Sequence, residues 1–193
     1  MAARTPGLSG VRVCLGFLLI AVLLPAQSLE RNRLSISGGW GEQISYYSYE
    51  RQSAPVLGVS YAFRPLRWFE LETGLFAGLQ PGQDQCSAHG CFDPNDRYFW
   101  VPFGARFVAP VAWRRVELSA GGGGLYENYS VSNANFNIRS RSGWGGYFAG
   151  GAAVAIDRSH HFWLGATPRF FLANPRYARD RWFVITGDVS FRF

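Results

Sequence analysis

The chain has 193 residues, 48% of them hydrophobic, and its 19 basic side chains are all arginine against 13 acidic ones, for a formal charge of +6. That length suits one domain. Beyond residue 28 no stretch is long and apolar enough to cross a membrane as a helix. The absence of lysine reads as high-GC codon bias, although arginine also suits a lipid headgroup boundary through its bidentate phosphate binding.

The N-terminus has the secretory pattern. Arg4 and Arg12 precede an apolar run at residues 13–24, and Ala26-Gln27-Ser28 is a small-x-small cleavage site. Residues 1–28 are therefore expected to be a signal peptide and residues 29–193 one domain, an uncleaved anchor helix being the alternative. Removing Arg4 and Arg12 lowers the formal charge from +6 to +4. Cys14 lies inside the apolar run and not at a lipidation site.

From residue 33 onward, side chains alternate in character with the period of a strand. In residues 33–41, Leu34, Ile36, Gly38 and Trp40 share one parity, and Ser35 and Ser37 the other. In residues 54–64, Pro55, Leu57, Val59, Tyr61 and Phe63 oppose Val56, Gly58, Ser60 and Ala62. In residues 68–80, Phe69, Leu71, Thr73, Leu75, Ala77 and Leu79 oppose Glu70, Glu72, Gly74 and Gly78. Cys86 and Cys91 follow in CSAHGC. An exported chain meets an oxidising compartment, so a disulfide is expected there. A zinc site with His89 fails on ligand count, and no metal or cofactor is expected.

Residues 97–109 set Phe99, Val101, Phe103, Ala105 and Phe107 against Tyr98, Trp100, Gly104 and Arg106. Residues 113–127 set Val116, Leu118 and Ala120 against Glu117 and Ser119. Residues 143–156 are small and weakly patterned, with Phe148, Ala152, Val154 and Ile156 as the apolar set. Residues 121–124 are four glycines, but no phosphate-loop Lys-Ser/Thr follows. With the glycines at 143, 145, 146, 150 and 151 they are expected to let strands bend and to make room for Trp100 and Trp182.

Residues 162–172 set Phe162, Leu164, Ala166 and Phe170 against Thr167 and Arg169. The eighth stretch, 181–193, alternates throughout: Phe183, Ile185, Gly187, Val189, Phe191 and Phe193 against Trp182, Val184, Thr186, Asp188, Ser190 and Arg192. Links between stretches are alternately short, at 64–67, 110–113 and 157–161, and long and polar, at 42–53, 81–96, 128–142 and 173–180.

Eight alternating stretches, alternating link lengths, a secretory leader and an aromatic final residue resemble the small outer-membrane β-barrel family, OmpA/OmpX-like. The resemblance is one of pattern over the whole mature chain. It implies an all-β, eight-stranded antiparallel up-and-down transmembrane barrel in the bacterial outer membrane. It also implies that Val189, Phe191 and Phe193 form the signal read by the barrel-insertion machinery. One departure is Asp188 where the family often has glycine, Gly187 being offset by one. Short links and both termini would face the periplasm, with no wall-binding domain following Phe193.

Two aromatic girdles are then expected. Trp68, Phe69, Trp113, Phe162, Phe191 and Phe193 would mark the periplasmic boundary, and Trp40, Tyr98, Phe99, Tyr126, Trp144, Phe170, Trp182 and Phe183 the external one. The inward parity carries Glu70, Glu72, Arg106, Glu117, Asp188 and Arg192, with Arg169. A charge network is expected in which the four acids are partnered mainly by Arg106 and Arg192, filling an interior too narrow for a channel. External loops, with Glu127 among their charges, nearly balance. The arginine surplus, including Arg33, Arg64 and Arg67, falls on a periplasmic rim beside anionic headgroups, so no nucleic-acid partner is expected.

What the resemblance implies for function is a non-enzymatic role in envelope structure or surface interaction, such as adhesion or protection. The implied partners are outer-membrane lipids including lipopolysaccharide, the insertion machinery, and an extracellular partner met by the loops. Two alternatives stand beside it. One is a lipid A-modifying barrel enzyme, acyl hydrolase or acyltransferase, for which Asp84, Ser87 and His89 share one loop; Ser159-His160-His161 has its serine on the wrong side of the histidine for the hydrolase motif. The other is a soluble periplasmic ligand-binding barrel of lipocalin type.

Overall fold

The computed structural model describes residues 31–44, 53–80, 85–87, 90–92, 95–111, 115–133, 136–173 and 181–193, of which 80, 85–87, 90–92, 95–96, 131–133 and 136–141 are described as backbone only. The expected leader, Asp84, His89 and Trp113 lie outside the described residues.

The strands are β1 (Asn32–Gln43), β2 (Ser53–Leu66), β3 (Phe69–Gln80), β4 (Gln85–Ser87), β5 (Gly90–Phe92), β6 (Asn95–Val111), β7 (Val116–Asn133), β8 (Phe136–Ala155), β9 (Phe162–Leu172) and β10 (Arg181–Arg192). Eight of them close an antiparallel barrel in the order β1-β10-β9-β8-β7-β6-β3-β2, while β4 and β5 form a separate small hairpin. Closure joins β1 to β10 from Arg33 opposite Arg192 to Gln43 opposite Trp182, which removes the free edges that an open sheet would present. One end of the barrel carries the short links and both described chain ends, and is called the turn end. The opposite one is the loop end.

Alternation is nearly perfect where the wall is thickest with apolar side chains. Every even-numbered residue of β10 is buried and every odd-numbered one exposed. The other barrel strands keep the parities read from the sequence. Two prolines interrupt ladders without shifting register. Between β3 and β6 pairing breaks between Thr73–Phe103 and Phe76–Trp100, at Pro102. Between β8 and β9 it breaks between Ala149–Arg169 and Ala152–Ala166, where Pro168 faces the glycines of β8. Proline has no N–H to donate, so each costs its strand a rung.

The structure corrects the expected loop at residues 128–142. β7 and β8 stay paired from Val116 opposite Val154 as far as Asn133 opposite Phe136, and β6 accompanies them from Asn95 opposite Ser132. Three strands thus continue past the loop-end limit of β9 at Leu172. Polar residues such as Asn128, Ser130, Ser132 and Asn133 make that segment read as a loop. The expected 81–96 loop contains the β4–β5 hairpin, whose register sets Cys86 opposite Cys91.

Candidate functional site

The site is the barrel interior together with the surface that encloses it. Outward positions of residues 34–40, 55–63, 69–79, 99–111, 116–126, 144–154, 162–172 and 183–193 carry no charged side chain. Ile36 is 68% exposed, Leu57 66% and Phe148 63%. The stretch from Phe183 to Phe193, at about 3.3 Å per residue and a tilt of about 40°, stands about 25 Å tall, the height of an outer-membrane apolar band. Val189, Phe191 and Phe193, the expected insertion signal, all face outward on this surface, and the rings of Phe191 and Phe193 stack with centroids 5.8 Å apart.

Inside, the turn half is ionic. Glu117, from β7, accepts from Arg192 Nη1 at 3.0 Å and from Arg64 at 3.1 and 2.9 Å. Glu70 accepts from Arg64 Nε at 2.8 Å and lies 2.7 Å from Arg33 Nη2. Glu72 accepts from Arg106 Nη2 at 2.9 Å and from the Tyr147 hydroxyl at 3.1 Å. Five strands on both sides of the barrel therefore converge on three carboxylates. Arg192 also lays its guanidinium 3.8 Å above the Trp163 ring.

All six expected network residues are inside, but the partnership differs from the expectation. Arg106 and Arg192 hold Glu72 and Glu117, while Glu70 is held by Arg33 and Arg64, which the sequence reading had put on the rim. Their parity is inward, matching Ser35 and Ala62. Asp188 belongs to a separate level. It accepts from Thr167 and from Thr186 Oγ1, the latter at 2.9 Å, and Arg169 Nη1 lies 4.0 Å away. Arg169 then links the two halves, because its guanidinium also sits 4.5 Å from the centre of the Phe76 ring.

The loop half is aromatic. Tyr98, Trp100, Trp182, Phe76, Phe171 and Tyr147 are buried together with Val56, Leu125 and Val184. Trp182 meets Tyr98 edge-on at 4.6 Å and Trp100 at 5.3 Å. Tyr98 and Trp182 were expected in the external girdle; their even numbering puts them inside at that height. Glu127 was expected in a loop. It is 2% exposed within the barrel and accepts from Trp100 Nε1 at 3.2 Å. The glycines that make room for these rings are also not the expected run: a Cβ on Gly78 would lie 2.9 Å from Trp100 and one on Gly41 3.4 Å from Trp182. In the run itself, a Cβ on Gly121 or Gly123 would strike the β6 backbone at 2.2 Å, so these glycines let two strands approach closely.

At the turn end, Asp157 organises the β8–β9 link. Its carboxylate accepts from the Ser159 hydroxyl and from the backbone N–H groups of His161 and Phe162, at 3.0 and 2.9 Å. These bonds, led by that from Ser159, hold the Asp157 carboxyl at about 2. Ser159 is thus oriented to a carboxylate and not to a histidine, which is not the arrangement of a serine nucleophile and its base. Of the other candidate catalytic set, Ser87 is placed as backbone in β4 and its companions Asp84 and His89 lie outside the described residues. Among the described residues no cluster of three metal-ligating side chains occurs.

No protein-family model and no curated protein sequence matches this chain. Solved structures do. Neisserial surface protein A matches with a TM-score of 0.65 and 11% identity over 86% of this chain and all of its own. The outer membrane protein OprG of Pseudomonas aeruginosa matches with a TM-score of 0.60 and 13% identity over 88% of this chain and 99% of its own. Ail, the attachment invasion locus protein of Yersinia pestis, gives 0.58 and 14% over 84% of this chain and 99% of its own. The chain has the fold of the small eight-stranded outer-membrane barrels.

Proposed function

We propose that this chain is an integral barrel of the bacterial outer membrane, acting without catalysis in envelope structure or in surface interaction through its loop end. The observation that carries this reading is the uncharged outward wall. In water it would be an apolar surface far larger than the few hundred Å² a soluble protein exposes; in a bilayer it is the lipid-facing band. The turn end then faces the periplasm, with Phe191 and Phe193 at that interface and the β6–β7–β8 extension outside the cell. Lipids, including lipopolysaccharide, surround the wall. The insertion machinery reads Val189, Phe191 and Phe193. The names of two similar barrels, a surface protein and an attachment and invasion protein, support a surface role. The aromatic filling of the loop half supports this reading over a lipocalin-like one, which needs an open apolar cup.

Cell fractionation tests it. The chain is expected in the outer-membrane fraction, to resist a high-salt wash, and to migrate faster on a gel before boiling than after. Release by salt, with the same mobility boiled or unboiled, would overturn it.

A further inference from the structure

We propose that the barrel interior holds one small monovalent anion, chloride in the cell, in a cavity between the ionic and aromatic halves. The cavity has a volume of about 20 Å³ and is bordered by Arg33, Arg106 and Arg169, by Ser60 and Ser119, and by Asp188. It exceeds the roughly 10–15 Å³ that one water needs.

Charge gives the sign of the occupant. Below the aromatic layer the enclosed groups are five guanidiniums, Arg33, Arg64, Arg106, Arg169 and Arg192, against Glu70, Glu72, Glu117 and Asp188. One positive charge is left over. The fifth interior acid, Glu127, sits in the aromatic half, on Trp100. Leaving a buried charge uncompensated is costly.

Donors give the second argument. Three guanidinium side chains, of Arg33, Arg106 and Arg169, border the cavity against a single carboxylate side chain, that of Asp188. The Asp188 carboxylate does not oppose an anion alone. Two threonine hydroxyls donate to it and Arg169 lies beside it. The arginines face the anion from β1, β6 and β9, so the anion would tie three separate parts of the wall together.

Two measurements on the purified barrel in detergent test this. Crystals soaked in bromide are expected to show an anomalous peak within the Arg33–Arg106–Arg169 cavity. The thermal midpoint of the gel-mobility shift is expected to rise with each tenfold increase in chloride at constant ionic strength, with gluconate as the balancing anion. Arg169→Gln, which cancels the surplus charge, and Ala153→Val, which fills the cavity without changing charge, should each abolish that chloride-dependent rise while general salt effects persist. Water density with no bromide peak would overturn the proposal. So would a peak with no chloride dependence of the midpoint, which marks an adventitious ion only, or a chloride dependence that both variants retain.

Discussion

The two halves of the interior solve one packing problem by different chemistry. Near the turn end the space between strands is filled by charge: Glu117, Glu70 and Glu72 each engage at least two hydrogen-bond or ion-pair partners from separate strands. Near the loop end it is filled by volume, with Trp100, Trp182 and Tyr98 in contact and fully buried. The difference predicts opposite tolerances. The ionic half should accept little change in charge even at constant shape. The aromatic half should accept change in chemistry provided the volume is kept.

Glu117→Gln is expected to have the largest effect. It is nearly isosteric, yet it leaves Arg64 and Arg192 facing a neutral amide, and breaking a buried pair in this way costs about 3–5 kcal/mol. Urea unfolding of the lipid-reconstituted barrel measures it. Trp100→Ala should approach that cost, about 3–5 kcal/mol, through the cavity it leaves and the loss of the Glu127 donor. Trp182→Phe sharpens the contrast. Trp182 Nε1 has no hydrogen-bond partner among the described residues, so the change removes some ring area and no bond, and should cost under about 1.5 kcal/mol. If Trp182→Phe proved as damaging as Glu117→Gln, the contrast between the halves would be wrong.

Much of this was legible in the sequence, for one reason. A period of two assigns each strand residue to a face as soon as one neighbour is assigned, so the interior position of Glu70, Arg106, Glu117, Asp188 and Arg192 followed from Leu71, Phe107, Leu118, Val189 and Phe191. What alternation does not encode is reach. Arg33 and Arg64 share the inward parity of Ser35 and Ala62, but as charged residues near strand ends they were read as rim, where a long stem can also turn outward to headgroups. Parity did mark Tyr98 and Trp182 as inward, but an aromatic residue near a strand end was read as girdle. Strand length was legible only inside the apolar band. Beyond it the sequence turns largely polar, and the paired strands around Asn133 and Phe136 look like loop.

The smallest predicted effect lies outside both halves. The Asp157 carboxyl, held at about 2 in the fold, has an ordinary unfolded value near 4. A lowered value stabilises the fold above the unfolded value and stops doing so as pH falls through the folded one. Asp157→Asn should therefore be slightly less stable than the parent at neutral pH. The gap should close as pH falls from about 4 to about 2, as seen in paired thermal melts. A gap that widens with acid would contradict the bonding of that turn.

The central claim is that the outward wall meets lipid while the inward side chains do not. Spin labels placed one at a time at Ile36, Leu75, Phe103 and Ile185 of the vesicle-reconstituted barrel test it most directly, by comparing relaxation by oxygen with relaxation by a water-soluble nickel chelate. The account predicts strong oxygen relaxation and weak chelate relaxation at all four. Strong relaxation by the chelate at these positions would contradict it.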